Sequence, residues 1–174
     1  MKDLHIKVDI RLEKERNKNM AFKKNGSLTI EQLKETEEKL GHRFPNDYKE
    51  FLLKTNGGRI DFISDDEEHG FYVDPIDEED ICIDSLYGIG EGARDWLVYF
   101  NKLYADEIMG CLIIGDTLSH GFIVYDYLGV VEDDGGIYFW DDKRAYKTSS
   151  DEGNLYFVAE NFNELMKKSN FIIE

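Results

Sequence analysis

The sequence predicts an α+β fold: one domain in which an antiparallel (in part mixed) β-sheet is flanked by helices. Three observations predict it. Two capped amphipathic helices stand in tandem before residue 58. Short β-branched and aromatic runs separated by turn residues then fill most of the chain. A further helical run interrupts them and a last one follows them, an order that suits helices packed on antiparallel hairpins.

Taken in order, Ile6, Val8 and Ile10 alternate like a short strand, whereas Leu12 to Met20 is highly polar. Residues 1–26 are therefore expected to be an extension that packs loosely, with the domain spanning 27–174. After Asn25-Gly26-Ser27, either Thr29 and Gln32 form a capping box, whose spacing they have, or Ser27 caps one turn earlier. Ile30, Leu33, Glu37 and Leu40 line one face of the helix they open, and Gly41 ends it. Glu37, the polar member of that face, is expected to reach a polar partner at the helix rim, the start of the second helix being one candidate. Pro45 suits the first position of that second helix, where its missing N–H is no loss, and Asp47 suits the positive end of the helix dipole. Tyr48, Phe51, Leu52 and Thr55 recur at i, i+3, i+4 and i+7, and Asn56-Gly57-Gly58 supplies residues that accept positive φ.

Strands are expected at 60–62, 71–73 and 81–83, and a third helical run at 95–109 with Trp96, Leu97, Phe100, Leu103 and Tyr104 on a broad apolar face. Residues 111–114, 122–125 and 137–140 read as strands joined by turns at Ser119-His120-Gly121 and Asp133-Asp134-Gly135-Gly136. Residues 141–154 are polar and read as a loop, 155–159 as the last strand. Asn161 with Glu164 then caps a helix through Lys168.

With 41% hydrophobic and 13% aromatic residues in 174, the chain is rich enough in apolar side chains to build a core and is not a disordered tail. No apolar run approaches the roughly 20 residues that cross a bilayer, and the charged N-terminus lacks the apolar centre of a secretory signal. Cys82 and Cys111 sit inside apolar runs without ligand spacing, as buried thiols of a cytoplasmic protein would. Charge is the strongest compositional signal. The formal net charge is −16, which excludes non-specific binding to nucleic acid or to anionic lipid. Residues 1–24 carry +4, so the remaining 150 carry −20. Eleven carboxylates and no Lys or Arg stand between Asp61 and Asp84.

The order of these motifs resembles the SUKH superfamily. The resemblance runs over about residues 27–168. It rests on Leu40-Gly41, Phe44-Pro45, Tyr48, Phe51-Leu52 and Asn56-Gly57-Gly58, supported by Ile114-Gly115-Asp116 with Gly121 and by Phe162 with Leu165. Phe44 stands where that group usually has Leu before the Pro, which keeps the burial. The resemblance implies the Smi/Knr-like fold and two functions. One is that of bacterial immunity proteins, which bind a cognate toxin domain stoichiometrically. The alternative is a regulatory interaction module like the fungal cell-wall regulators of the group. The N-terminal extension and the 141–154 loop find no counterpart in it.

An enzyme needs a constellation, and the sequence offers none. His5, His42, His69 and His120 lie far apart, and Ser119 beside His120 is a turn rather than a nucleophile pair. Gly88-Ile89-Gly90-Glu91-Gly92 lacks the Lys of a phosphate loop, and the acidic run lacks the spaced ligands and central Gly of a calcium loop. No metal, cofactor or catalytic residue is expected, and the free chain is expected to be a monomer. Many toxins that degrade nucleic acid are basic, so an anionic surface is suited to steer onto such a site. The partner surface is accordingly placed on Asp65, Asp66, Glu67, Glu68, Asp77, Glu78, Glu79 and Asp80, with Phe71 and Tyr72 as anchors.

Overall fold

The computed structural model of the chain describes residues 20–62, 71–76, 79–90, 95–108, 110–131, 135–150, 153–169 and 172–173. In chain order the elements are β1 (Met20–Lys24), α1 (Ile30–Leu40), α2 (Asn46–Thr55), β2 (Gly58–Phe62), β3 (Phe71–Ile76), β4 (Glu79–Leu86), α3 (Trp96–Leu103), β5 (Leu112–Thr117), β6 (Phe122–Asp126), β7 (Gly136–Trp140), β8 (Leu155–Ala159), α4 (Phe162–Ser169) and β9 (Ile172–Ile173). The fold is α+β, as its sequence predicts.

The capping box forms: Thr29 Oγ1 accepts from Gln32 N at 3.2 Å and Gln32 Oε1 accepts from Thr29 N at 2.9 Å. Gly41 ends α1 in the left-handed region. Glu37 does reach the second helix, accepting from Phe44 N at 2.6 Å and pairing with Lys49 Nζ at 2.8 Å. Pro45 is placed one position earlier than predicted. It is the extended N-cap residue, and the first helical residue is Asn46. The predicted stripe of α2 is buried in full. Asp47 fixes this helix to its neighbours: its carboxylate accepts from Tyr48 N at 2.8 Å, from Phe162 N at 3.0 Å and from Tyr125 Oη at 3.2 Å.

The strands run in the order β8-β7-β6-β5-β4-β2-β1-β9, with β3 paired to β4 beside that path. β9 lies parallel to β1 and makes the sheet mixed, while the neighbouring hairpins are antiparallel. α4 therefore leads from one end of the strand order to the other. The register of β6 and β7 sorts their side chains onto two faces. Phe122 stands opposite Trp140 and meets Phe100 of α3, whereas Tyr125 stands opposite Ile137 and meets Asp47 of α2. Every residue of β6 and β7 is buried, which explains their near-continuous apolar sequence.

Two terminal strands were not predicted. Residues 20–24 belong to the sheet rather than to a loosely packed extension: Met20 to Lys24 pair with Phe62 to Gly58, and Phe22 is wholly buried against Phe51. The other expected strand of that region, residues 6–10, lies outside the described residues. The third helix is shorter than its apolar run, because the chain passes into turns after Leu103.

Candidate protein-interaction surface

β3 and β4 form a hairpin in which Phe71 stands opposite Ile83, Tyr72 opposite Cys82, and Ile76 opposite Glu79. Of the residues expected to meet a partner, the backbones of Phe71 and Tyr72 open β3 and those of Glu79 and Asp80 open β4. Asp65, Asp66, Glu67, Glu68, Asp77 and Glu78 lie outside the described residues. In sequence the first acidic cluster precedes Phe71 and the second follows Ile76.

At the other end of β4 the acidic chemistry is fully described. Asp84 pairs with Arg59 of β2 at 3.4 Å, an exposed contact of small energetic weight. Ser85 Oγ donates to Asp116 of β5 at 2.5 Å. Burial raises the Asp116 carboxyl above its ordinary value, and the Ser85 hydrogen bond opposes that rise. The Tyr87 hydroxyl is held protonated by burial first, then by the nearby charge of Asp116 and its side-chain interaction with that carboxylate.

Beside this edge, α3 carries an aromatic surface that its periodicity alone does not reveal. The predicted apolar face splits. Leu97 and Val98 are buried, whereas Trp96, Tyr99 and Leu103 are exposed. Between them Phe100 stacks on Tyr87 with ring centroids 5.2 Å apart and on Tyr104 at 6.3 Å. Trp96 meets Tyr87 edge-on at 5.9 Å, and Tyr104 meets Trp140 edge-on at 5.2 Å. The helix is fixed there by Asn101, whose side-chain amide takes both the N–H and the C=O of Ile113 at 2.8 Å.

The histidine of the Ser-His-Gly turn has a structural partner. His120 Nε2 lies 3.2 Å from Asp141 Oδ1, within ion-pair distance but outside hydrogen-bond alignment. Asp141 is buried and accepts from Ala145 N and Tyr146 N at 3.0 Å and from Ser149 Oγ at 2.5 Å. Desolvation raises its carboxyl, but these hydrogen bonds and His120 outweigh it and leave the group below the ordinary range. Here the carboxylate stands between the serine and the histidine. A nucleophilic triad needs the histidine in the middle, an order this arrangement does not have. The arrangement instead ties Asp141 to Ala145, Tyr146 and Ser149. His42, the other described histidine of α1 and its exit, shares a 2.8 Å contact with Tyr127 Oη.

Among the described residues, no three His, Cys, Asp or Glu side chains come together as a metal-binding group, and no helix is long and apolar enough to cross a membrane. Both cysteines are buried, and burial pushes the Cys111 thiol up to about 12. Residues 27–168 match the family model described as the SMI1 / KNR4 family (SUKH-1). No curated protein matches the chain.

Proposed function

The chain belongs to the SMI1 / KNR4 family (SUKH-1), and from that premise we propose that it is a cytoplasmic immunity protein. It binds a cognate bacterial toxin domain one to one and blocks it without chemistry of its own. The toxin is a basic domain of the nuclease type, whose cleft otherwise holds phosphates. One observation carries this reading: eleven carboxylates and no Lys or Arg stand between Asp61 and Asp84. Like charges at that density repel one another and cost stability, a cost that a complementary basic partner offsets. Phe71 and Tyr72, between the two acidic clusters in sequence, are the proposed apolar anchors.

The test starts from copurification with the product of the neighbouring gene. Asp65, Asp66, Glu67, Glu68, Asp77, Glu78, Glu79 and Asp80 are then changed together to Asn or Gln, folding is verified, and association is followed across salt. Steering by the belt predicts an association rate about 10- to 1,000-fold lower in the variant at low salt, with a flatter salt dependence. Identical rates and salt slopes would reduce the belt to a solubilising surface. A partner that controls signalling or cell-wall enzymes instead of a toxin would support the regulatory alternative.

A further inference from the structure

The hairpin of β6 and β7 is closed by more chain than its strands require. Asp126 stands opposite Gly136, a pair that two residues can bridge, yet the nine residues 127–135 intervene. The first five of them carry an apolar tip. Leu128, Val130 and Val131 are 62%, 57% and 37% exposed, which leaves three aliphatic side chains to water within four positions.

The tip is nonetheless fixed. Asp126, wholly buried at the end of β6, accepts from Val130 N at 2.8 Å and from Val131 N at 2.7 Å. Burying a carboxylate is costly unless hydrogen bonds offset it, and these two hold the exposed segment. Tyr127 Oη shares its 2.8 Å contact with His42 Nδ1 at the exit of α1. Val130 rests on the turn before β5: a Cβ at Gly110 would come within 2.6 Å of Val130 Cγ2. Gly129, at φ +67°, makes the bend between Leu128 and Val130. A loop that only joined two strands would gain nothing from aliphatic side chains held out to solvent. A contact surface gains affinity, because little is left to order on binding.

Charge decides what the tip fits. Glu132, Asp133 and Asp134 follow it in sequence, and no Lys or Arg occurs from Leu103 to Asp142. The phosphates of nucleic acid or of anionic lipid are therefore repelled. A symmetric contact between two copies would set the same acids against each other. We propose that residues 127–131 are an apolar knob that a second protein receives in an apolar pocket edged by Lys or Arg. Leu128 is the inserted side chain, and Asp126 and His42 are positioning residues. The registers of β4, β5 and β6 put the knob at the opposite end of the sheet from the β3–β4 turn, where Ile76 stands opposite Glu79. Changing the knob therefore leaves the acids of that turn untouched. The proposal rests on the partner-binding reading above only for the identity of the protein that carries the pocket.

The chain alone decides the first part. The Asp126 bonds should slow amide exchange at Val130 and Val131, and exchange at the unprotected rate would remove the rigid knob and the proposal with it. The full chain with ¹³C-labelled leucine methyls is then titrated with per-amino β-cyclodextrin, an apolar cavity edged by ammonium groups. Neutral β-cyclodextrin and spermine supply the cavity and the charge separately. A saturable shift is expected at Leu128, stronger with the amino form than with the neutral one and absent with spermine, while Leu103 and Leu118 shift less. Equal shifts at the three leucines, or a shift that spermine reproduces, would overturn the proposal. In the complex with the copurified neighbouring-gene product, Leu128→Ser should quicken dissociation about 10- to 150-fold, as loss of one buried leucine does, with the association rate unchanged. An unchanged dissociation rate overturns the knob as an anchor. So does dimerisation, or binding to phosphatidylcholine vesicles, that Leu128→Ser abolishes, since the tip then belongs to a second copy or to a lipid surface. If no neighbouring-gene product binds, the immunity reading fails while the cyclodextrin titration still decides this one.

Discussion

At the scale of single residues, the fold is closed by side chains that substitute for missing backbone partners. Asn56 ends α2 in the left-handed region, and its amide takes both Ile89 N and Ile89 O at 2.7 Å. Gly57 follows at φ +67°, where a Cβ would stand 2.5 Å from Leu86 O, so neither a side chain nor an ordinary backbone fits there. Asn101 does the same for Ile113, and Asp141 for its loop. The carboxylates Asp116 and Asp141 are oppositely perturbed, which gives opposite predictions. Asp141 lies below its ordinary 3.8, so its contribution to stability is present above that value and is lost as pH falls through the lowered folded one. Asp141→Ala leaves two backbone N–H groups and a hydroxyl without their acceptor and should cost about 3 kcal/mol or more at pH 7, measured by urea unfolding. Asp116 lies above its ordinary 3.8, so the folded chain holds the proton longer and stability falls as pH rises from that value through the raised one. Asp116→Asn keeps an acceptor for Ser85. It should melt at or above the parent's temperature at pH 7, and the difference should vanish below pH 3.8. A destabilised Asp116→Asn chain would mean that the charge itself is needed there.

At the scale of elements, Phe51 and Phe22 join α2 to β1 and test whether both belong to one core. Phe51 touches Phe22, Tyr48 and Phe162, so Phe51→Asp buries an unpaired charge and should abolish the cooperative transition. Phe22→Ala should cost about 3–5 kcal/mol in the same unfolding experiment, as large core truncations do, whereas a loosely packed extension would lose almost nothing. The helices and most strands were legible in the sequence because their signals are local. The Thr29–Gln32 cap, the Tyr48-to-Thr55 stripe and the turn glycines all act within a few positions. β1 was not, because its five residues are recognisable only through pairing with β2, from 34 positions away for Lys24 and Gly58 to 42 for Met20 and Phe62. The same non-locality hid Asp141 as the partner of His120. The acidic belt was legible as composition, though most of its side chains lie outside the described residues. The aromatic face of α3 was not legible as a surface. Period 3.6 finds Trp96, Phe100 and Leu103 equally well whether a neighbour covers them or solvent does, and only the packing of Tyr87 and Phe122 beneath Phe100 separates the two cases.

At the scale of the whole molecule, the dominant force left unbalanced is charge. A net −16 on 174 residues, with a sequence pI near 4.6, favours solubility but opposes compaction, since folding brings the carboxylates closer together. Arg59 with Asp84 and Lys49 with Glu37 relieve this only locally. Salt should therefore stabilise the chain. The Debye length shortens from about 30 Å at 0.01 M to about 10 Å at 0.1 M, which screens repulsion across the belt while leaving buried contacts nearly untouched. The thermal midpoint at pH 7 is expected to rise over that interval and then to level off. Because the acids are expected to form no coordination site, the rise should follow ionic strength and not the identity of the cation. Melting curves in NaCl, MgCl₂ and CaCl₂ at equal ionic strength decide the matter, together with calorimetric titration. The three salts should give one curve, and no divalent ion should bind more tightly than roughly millimolar, the weak end of carboxylate sites. A calcium or magnesium curve that climbs separately and saturates at micromolar concentration would identify a built metal site among the acids. A midpoint indifferent to all three salts would show that the belt's charges are already separated widely enough in the folded chain, and that no cost remains for a basic partner to offset.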